Sequence, residues 1–218
     1  MQRTLVSGQR IRQPRRQLES RTPVVKRKTE YGSDHPGAIA CVVTLNQRNQ
    51  LDPLSLIIVA DNGAILYFSR NHGAAIEKWH SVLDMDPGFM RAHLIQGAYV
   101  EKGMFAEALA DNEKLRPTIS DAAYWSWGAY IHGRARQMPE AHRAIHELLK
   151  IEKSGAVEPT AIAQAFAGVG DKAQTLAWLE RAYVQHSNAL TSLKVNPAYD
   201  PLRGGARFRD LLLRVGLE

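Results

Sequence analysis

The residues of this chain best equipped for chemistry are few, and they do not combine. His142 and His146 stand four apart, so a helix would carry both on one face at the spacing of a two-histidine metal clip. A zinc site needs a further ligand, and Glu147 would point to a different side. Lys150 occupies the place of the second histidine, so His146-Glu147 does not complete the zinc-protease motif. Gly168-Val169-Gly170-Asp171-Lys172 is superficially like a phosphate loop. It lacks the G-x-x-x-x-G-K-[ST] spacing and joins two helical stretches where a strand should come first. Ser126 and Ser154 have no neighbouring His and acid in an arrangement that supports a hydrolase triad. Cys41 is the one cysteine, which excludes an internal disulfide framework and a four-cysteine zinc site. The expectation is a non-enzyme with no catalytic residue, no metal and no cofactor.

What remains must act through surface, and the charge is unevenly spread over it. Residues 1–35 hold nine of the 28 Lys and Arg but three of the 22 Asp and Glu, so the net charge of +6 lies there and the rest is balanced. Gln, Arg, Ser, Thr and Pro dominate this head, with a breaker cluster at Gly32–Gly37, and no helical or strand period is sustained. Residues 1–52 are therefore expected to be a basic, mostly disordered segment. No run approaches the roughly 20 apolar residues that span a bilayer, and Ala38–Val43 is far too short. No membrane partner is expected, and the location expected is cytoplasmic.

From Pro53 onward the chain becomes periodic. Ala75, Ala108, Ala141 and Thr175 recur at steps of 33, 33 and 34 residues, and so do Arg70, Gly103, Arg136 and Gly170, and Val82, Leu115, Leu148 and Ala182. Such a period marks stacked helical hairpins, none of which can bury its apolar face alone. The first hairpin runs through Leu56, Val59 and Ala60, then Ala75, Trp79 and Val82, and stops at Asp86-Pro87. The second carries Ile95, Ala98 and Tyr99, then Phe105 and Ala108. The third starts at Asp121, a candidate N-cap, with Pro139 near the first position of its second helix. The fourth starts near Pro159 and turns at Gly170-Asp171-Lys172. Glycine suits the turn position, so Arg70 and Arg136 should make those two turns looser or differently shaped. Phe208, Leu211, Leu212 and Val215 form one stripe of a closing helix.

These residues resemble tetratricopeptide repeats. The second unit fits the family pattern through Tyr99, Gly103, Phe105 and Ala108, and the first through Gly63, Ala75, Trp79 and Pro87. His132 and Phe166 stand where Tyr is usual, and Thr175 replaces the Ala. The resemblance implies an all-α, right-handed superhelix of about four hairpins with a C-terminal capping helix, over residues 53–218. The end of the chain, from Trp178-Leu179-Glu180 through Asn196-Pro197-Ala198-Tyr199-Asp200-Pro201-Leu202-Arg203, is similar to repeat arrays that follow winged-helix, cyclase or kinase domains in bacterial regulators. Asn49–Ser55 resembles the last turn of a preceding repeat. Together these imply the C-terminal part of a longer regulator, its basic head supplied by a shifted reading frame or a misplaced start.

The family uses first-helix side chains to line a concave groove for a protein or peptide partner. Carried over unit by unit, the resemblance implies a groove of Tyr67, Phe68, His93, Val100, Glu101, Ser126, Tyr130, Arg134 and Gln164. The reading is a protein-interaction scaffold at the sensor end of a signalling or transcription protein. The alternative is a nucleic-acid-associated protein that uses Arg10, Arg12, Arg15, Arg16 and Lys26-Arg27-Lys28 on phosphates. A third course is self-association, because a first unit with nothing before it would leave Leu54 and Ile58 uncovered. Chaperone-binding members hold a C-terminal carboxylate with Lys and Asn. Here Ala60, His93, Ser126 and Thr160, then Ala64, Gly97, Tyr130 and Gln164, stand at those positions. Chaperone C-terminal peptides should therefore bind weakly or not at all; a micromolar complex in calorimetry would refute this.

Overall fold

The structure is a computed structural model that describes residues 55–217; the expected basic segment, residues 1–52, lies outside the described residues. Four helical hairpins follow one another. The first is α1 (Leu56–Phe68) and α2 (His72–Met85). The second is a 3-10 turn (Met90–Leu94) running into α3 (Ile95–Glu101), then α4 (Phe105–Leu115). The third is α5 (Asp121–Arg134) and α6 (Met138–Glu152), and the fourth α7 (Pro159–Val169) and α8 (Lys172–Val184). A tail with two further 3-10 turns, Asn188–Ser192 and Pro197–Leu202, leads to a closing helix, α9 (Ala206–Val215). There is no strand among the described residues, so the chain there is all-α, as its period implies.

The period has a physical cause in each hairpin. Ala75, Ala108, Ala141 and Thr175 are all buried at the same place in the second helix, where no larger side chain would let the helices approach. Thr175 fits this apolar spot because its hydroxyl donates to the Asp171 carbonyl at 2.7 Å, so no polar atom is stranded.

The turns correct one sequence expectation. Arg70 and Arg136 do not loosen their turns: their φ values are 67° and 63°, against 74° for Gly103 and 79° for Gly170. All four are left-handed residues closing the same helix end. At each, the next residue's N–H reaches back five positions, from Asn71 to Leu66, Met104 to Tyr99, Gln137 to His132 and Asp171 to Phe166, at 2.8–3.1 Å. The closed hydrogen-bond pattern overrides the cost of placing an arginine there, about 1 kcal/mol. A second correction concerns the third hairpin. Ser120, not Asp121, is the N-cap of α5, accepting from the Ala123 N–H at 3.2 Å; Asp121 sits in the first turn, where its charge suits the helix dipole.

The stack is tightest between α5 and α7. A Cβ on Gly133 would lie 2.5 Å from the Gly168 carbonyl carbon, and one on Gly168 would lie 2.5 Å from the Tyr130 Cα. Backbone meets backbone here, so neither glycine has room to grow. Farther on, Leu190, Leu193, Tyr199, Leu202, Phe208 and Leu211 bury into the same core as the first two hairpins. Arg214 anchors α9 to α8 by gripping both Glu180 oxygens at 2.6 and 2.7 Å while lying over the Tyr183 ring.

Gly168→Ala should therefore cost about 2–3 kcal/mol in urea unfolding, at the upper end of overpacking penalties, because backbone cannot yield as a side chain can. A midpoint equal to that of the wild type would mean that α5 and α7 do not approach this closely.

Candidate functional site

The groove residues implied by the sequence come from the first helices of the hairpins and from the 3-10 turn before α3. Their local chemistry divides them. Tyr130 and Val100 are almost fully buried, and Ser126, Tyr67 and His93 are buried as well. Phe68, Glu101, Arg134 and Gln164 keep partial exposure. Any ligand on this face would therefore meet the second group directly, while the first group shapes the wall behind it.

Tyr67 explains the split. Its phenol packs over Gly97 in the next hairpin, where a Cβ would come within 2.7 Å of the Tyr67 hydroxyl oxygen. Burial drives the Tyr67 hydroxyl well above the ordinary phenol range, and the nearby Glu101 carboxylate adds to the rise. Tyr130 is pushed up in the same way, by burial first and then by its neighbours Tyr67 and Glu101. Both phenols stay protonated, and Tyr130 serves as a donor.

Glu101, Tyr130 and Arg134 form a closed polar network across α3 and α5. The Arg134 guanidinium donates to both Glu101 oxygens, at 2.7 and 3.3 Å, and to the Tyr130 hydroxyl at 2.9 Å. The Tyr130 hydroxyl in turn donates to Glu101 at 3.1 Å. A forked, half-buried pair of this kind fixes geometry between hairpins. Its acceptors are already engaged, which makes it a strut more than a binding group.

Gln164 and Ser126 meet elsewhere. They line a cavity of about 230 Å³ between α5, α7 and the tail, together with Trp127, Thr160, Asn196 and Tyr199. Ser126 donates to the Ala161 carbonyl at 2.7 Å, tying α5 to α7 under the cavity floor. Tyr199 reaches from the tail toward the Thr160 carbonyl at 3.5 Å. No charged residue lines this cavity. Sequence reasoning missed its tail wall, because the tail shows no helical period. The Leu190–Leu193 step of three, which suits a 3-10 turn, is the signal that could have found it.

His93 has a different task from the one implied by its groove position. Its Nδ1 lies 3.1 Å from both Asp111 oxygens, and its Nε2 lies 3.2 Å from the Pro87 carbonyl. Both partners accept, so the arrangement favours the doubly protonated, cationic ring over the neutral one. Burial lowers the His93 pKa, but the hydrogen bond and charge of Asp111, helped by the Pro87 carbonyl, outweigh burial and the opposing Lys114, and the net shift is upward. The ring thus clamps the 3-10 turn at Met90–Leu94 to α4 and to the loop that ends hairpin one.

The other chemical candidates are structural. Gly168 and Gly170 serve packing and turn, and Asp171 caps α8 by accepting from the Gln174 N–H at 3.0 Å. His142 and His146 are exposed on α6. Among the described residues no three His, Cys, Asp or Glu gather to hold a metal, and no helix is long and apolar enough to cross a membrane.

Four hairpins of one period, one small-residue crossing and one left-handed turn define a tetratricopeptide-like helical array. No family model matches the chain, and no curated protein matches it. Among solved structures, a tetratricopeptide repeat protein from Parabacteroides merdae is similar, with 12% sequence identity and a TM-score of 0.47, over 83% of this chain and 73% of that one.

A raised His93 pKa stabilises the fold at pH below its ordinary value of 6.5, and this is lost as pH rises through the higher folded value. His72, held below its ordinary value by burial, acts in the opposite direction. The readout is therefore the difference between wild type and His93→Gln. The variant should cost about 1–3 kcal/mol near pH 6, a charged hydrogen bond's worth, and less near pH 8. A pH-independent difference in melting would show that folding does not raise the His93 pKa.

Proposed function

We propose that the chain is a protein-interaction scaffold and that it takes a peptide segment in the cavity between α5, α7 and the tail. The observation that carries this reading is the cavity lining. Thr160, Gln164 and Asn196 offer a hydroxyl and amides, Trp127 offers an aromatic face, and no side chain there is charged. Amide groups both donate and accept, which matches the alternating polarity of a peptide main chain. A volume near 230 Å³ suits one side chain and its flanking peptide bonds, not a whole protein surface. The Glu101–Arg134–Tyr130 strut beside it keeps the hairpins in register without competing for the ligand.

The wider setting follows from the tail sequence. Its likeness to the ends of regulator-fused arrays supports a place at the sensor end of a bacterial signalling or transcription protein in the cytoplasm. The nine Lys and Arg of residues 1–35 support a second reading, in which the head contacts nucleic acid. Steep, sequence-indifferent salt dependence of retention on DNA would favour it.

The test is a phage-displayed library of peptides about 12 residues long, selected on the full chain. Enriched peptides should lose about ten-fold in affinity on Gln164→Ala or Trp127→Ala, a loss of about 1.4 kcal/mol, with melting unchanged in Gln164→Ala. A library without an enriched family, or peptides indifferent to both variants, would overturn the proposed site.

A further inference from the structure

Arg70 and Arg136 occupy equivalent left-handed positions 66 residues apart in the period, and both bear the same backbone strain. Only one of them uses its side chain. The Arg136 guanidinium is exposed and has no partner among the described residues. The Arg70 guanidinium crosses to the tail, 125–130 residues away, where Nη1 donates to the Val195 carbonyl at 2.6 Å and Nη2 donates to Asp200 at 2.6 Å. Nη1 also donates to the Phe68 carbonyl at 3.0 Å, which fixes the side chain against its own helix end.

The receiving loop is built for this. Arg203 donates through Nε to the same Asp200 oxygen at 2.6 Å, and its other nitrogens reach the Lys194 and Asn196 carbonyls. Asp200 thus sits between two guanidinium groups, one holding the loop together and one arriving from the first hairpin. Asn196 and Tyr199, which lie between the Val195 and Asp200 contacts, form a wall of the cavity assigned above to a peptide.

The two ends of the tail are held by forces of different kind. Leu190, Leu193, Tyr199 and Leu202 are buried, so the tail is seated by apolar area that salt does not weaken. The Arg70–Asp200 pair is 38% and 42% exposed, and pairs in that setting contribute about 0–1 kcal/mol and are screened by salt. The strong seat and the weak tie are what a wall that yields at one edge requires.

We propose that Arg70 is a salt-sensitive clasp, which closes the tail against the first hairpin and sets how far the cavity between α5, α7 and the tail stands open. Its bearing on binding rests on the reading of that cavity as the peptide site; the clasp itself does not. In turn one the arginine's tail contacts act against the strain that glycine avoids in turns two and four. A peptide entering the cavity would press on Asn196 and Tyr199 and so on the loop that Arg70 holds.

Amide hydrogen exchange on the full chain tests this, with Arg70→Gly and Arg136→Gly as a matched pair. Both substitutions relieve the same backbone strain. Arg70→Gly should speed exchange over residues 188–203 about two- to five-fold, the range that a tie of this exposure allows. Arg136→Gly should leave those residues unchanged. In the wild type, raising salt from about 0.05 to about 0.5 M should accelerate the same residues, and in Arg70→Gly, where only the Arg203–Asp200 pair is left to screen, the salt effect should be smaller. Arg70→Lys, which keeps the charge and loses the fork, should fall between. Equal behaviour of the two glycine variants, or a tail indifferent to salt in the wild type, would overturn the clasp. Exchange within α5 and α7 reports that each variant is folded. No ligand enters this readout, so its failure leaves the peptide reading standing, and a failed peptide selection leaves the clasp standing.

Discussion

Two helices can approach only as closely as the side chain at their crossing permits, and that constraint shapes this molecule. Ala75, Ala108, Ala141 and Thr175 set the distance within hairpins, and Gly133 with Gly168 sets it between α5 and α7. Because these contacts are short, each hairpin buries an apolar face that would be exposed on its own, and stacking supplies the missing cover. The first helices are thereby drawn together. Tyr67, Glu101, Tyr130 and Arg134 come from three different hairpins, yet the Glu101 carboxylate reaches both phenols and adds to the rise that burial causes.

Crowding also explains why the inner face is selective about charge. Where Glu101 and Arg134 leave water, each finds the other, and the two tyrosine hydroxyls remain protonated beside them. A buried charge that lacks a partner is far more expensive than a neutral hydroxyl with a loose one. The network near α3 and α5 is therefore complete in itself. The open polarity lies farther along, around Gln164 and Asn196, where neutral amides face a cavity at little cost. His93 follows the same rule from the other direction: two acceptors, one of them a carboxylate, surround it and favour its cationic form in a buried place.

Much of the fold was legible because it repeats. A position that recurs four times shows its requirement even when one copy departs from the pattern, so Thr175 could be read as a crossing residue despite its hydroxyl. The turns are less legible. Propensity says that arginine resists the left-handed region, but the backbone bonds from Asn71 and Gln137 fix that conformation whatever residue fills it. Local preference lost to a closed hydrogen-bond pattern. The site was harder still. Periodicity identifies first-helix positions, but whether a tyrosine there faces a groove or a glycine of the next hairpin depends on distances that no single repeat encodes. Tyr67 over Gly97 is such a case. The tail wall was hidden for another reason: 3-10 turns are short, and their step of three passes for irregular sequence.

The left-handed arginines show how a repeat can keep its backbone while its surface diverges. Four turns share one conformation, so the residue at that position is free to change as long as about 1 kcal/mol of strain is tolerated or offset. Turns two and four avoid the cost with glycine. Turn three accepts it and, among the described residues, gains nothing from the side chain. Turn one accepts it and extends a guanidinium to a loop more than a hundred residues away, joining the beginning of the array to its end. A flexible glycine could not have done so, because it has no side chain to extend. A lysine would lack the planar fork that lets one group hold both the Val195 carbonyl and Asp200. The geometry at Arg70 therefore needs arginine specifically, in a turn whose backbone alone would favour glycine, and the tail contacts are the compensation that distinguishes it from Arg136.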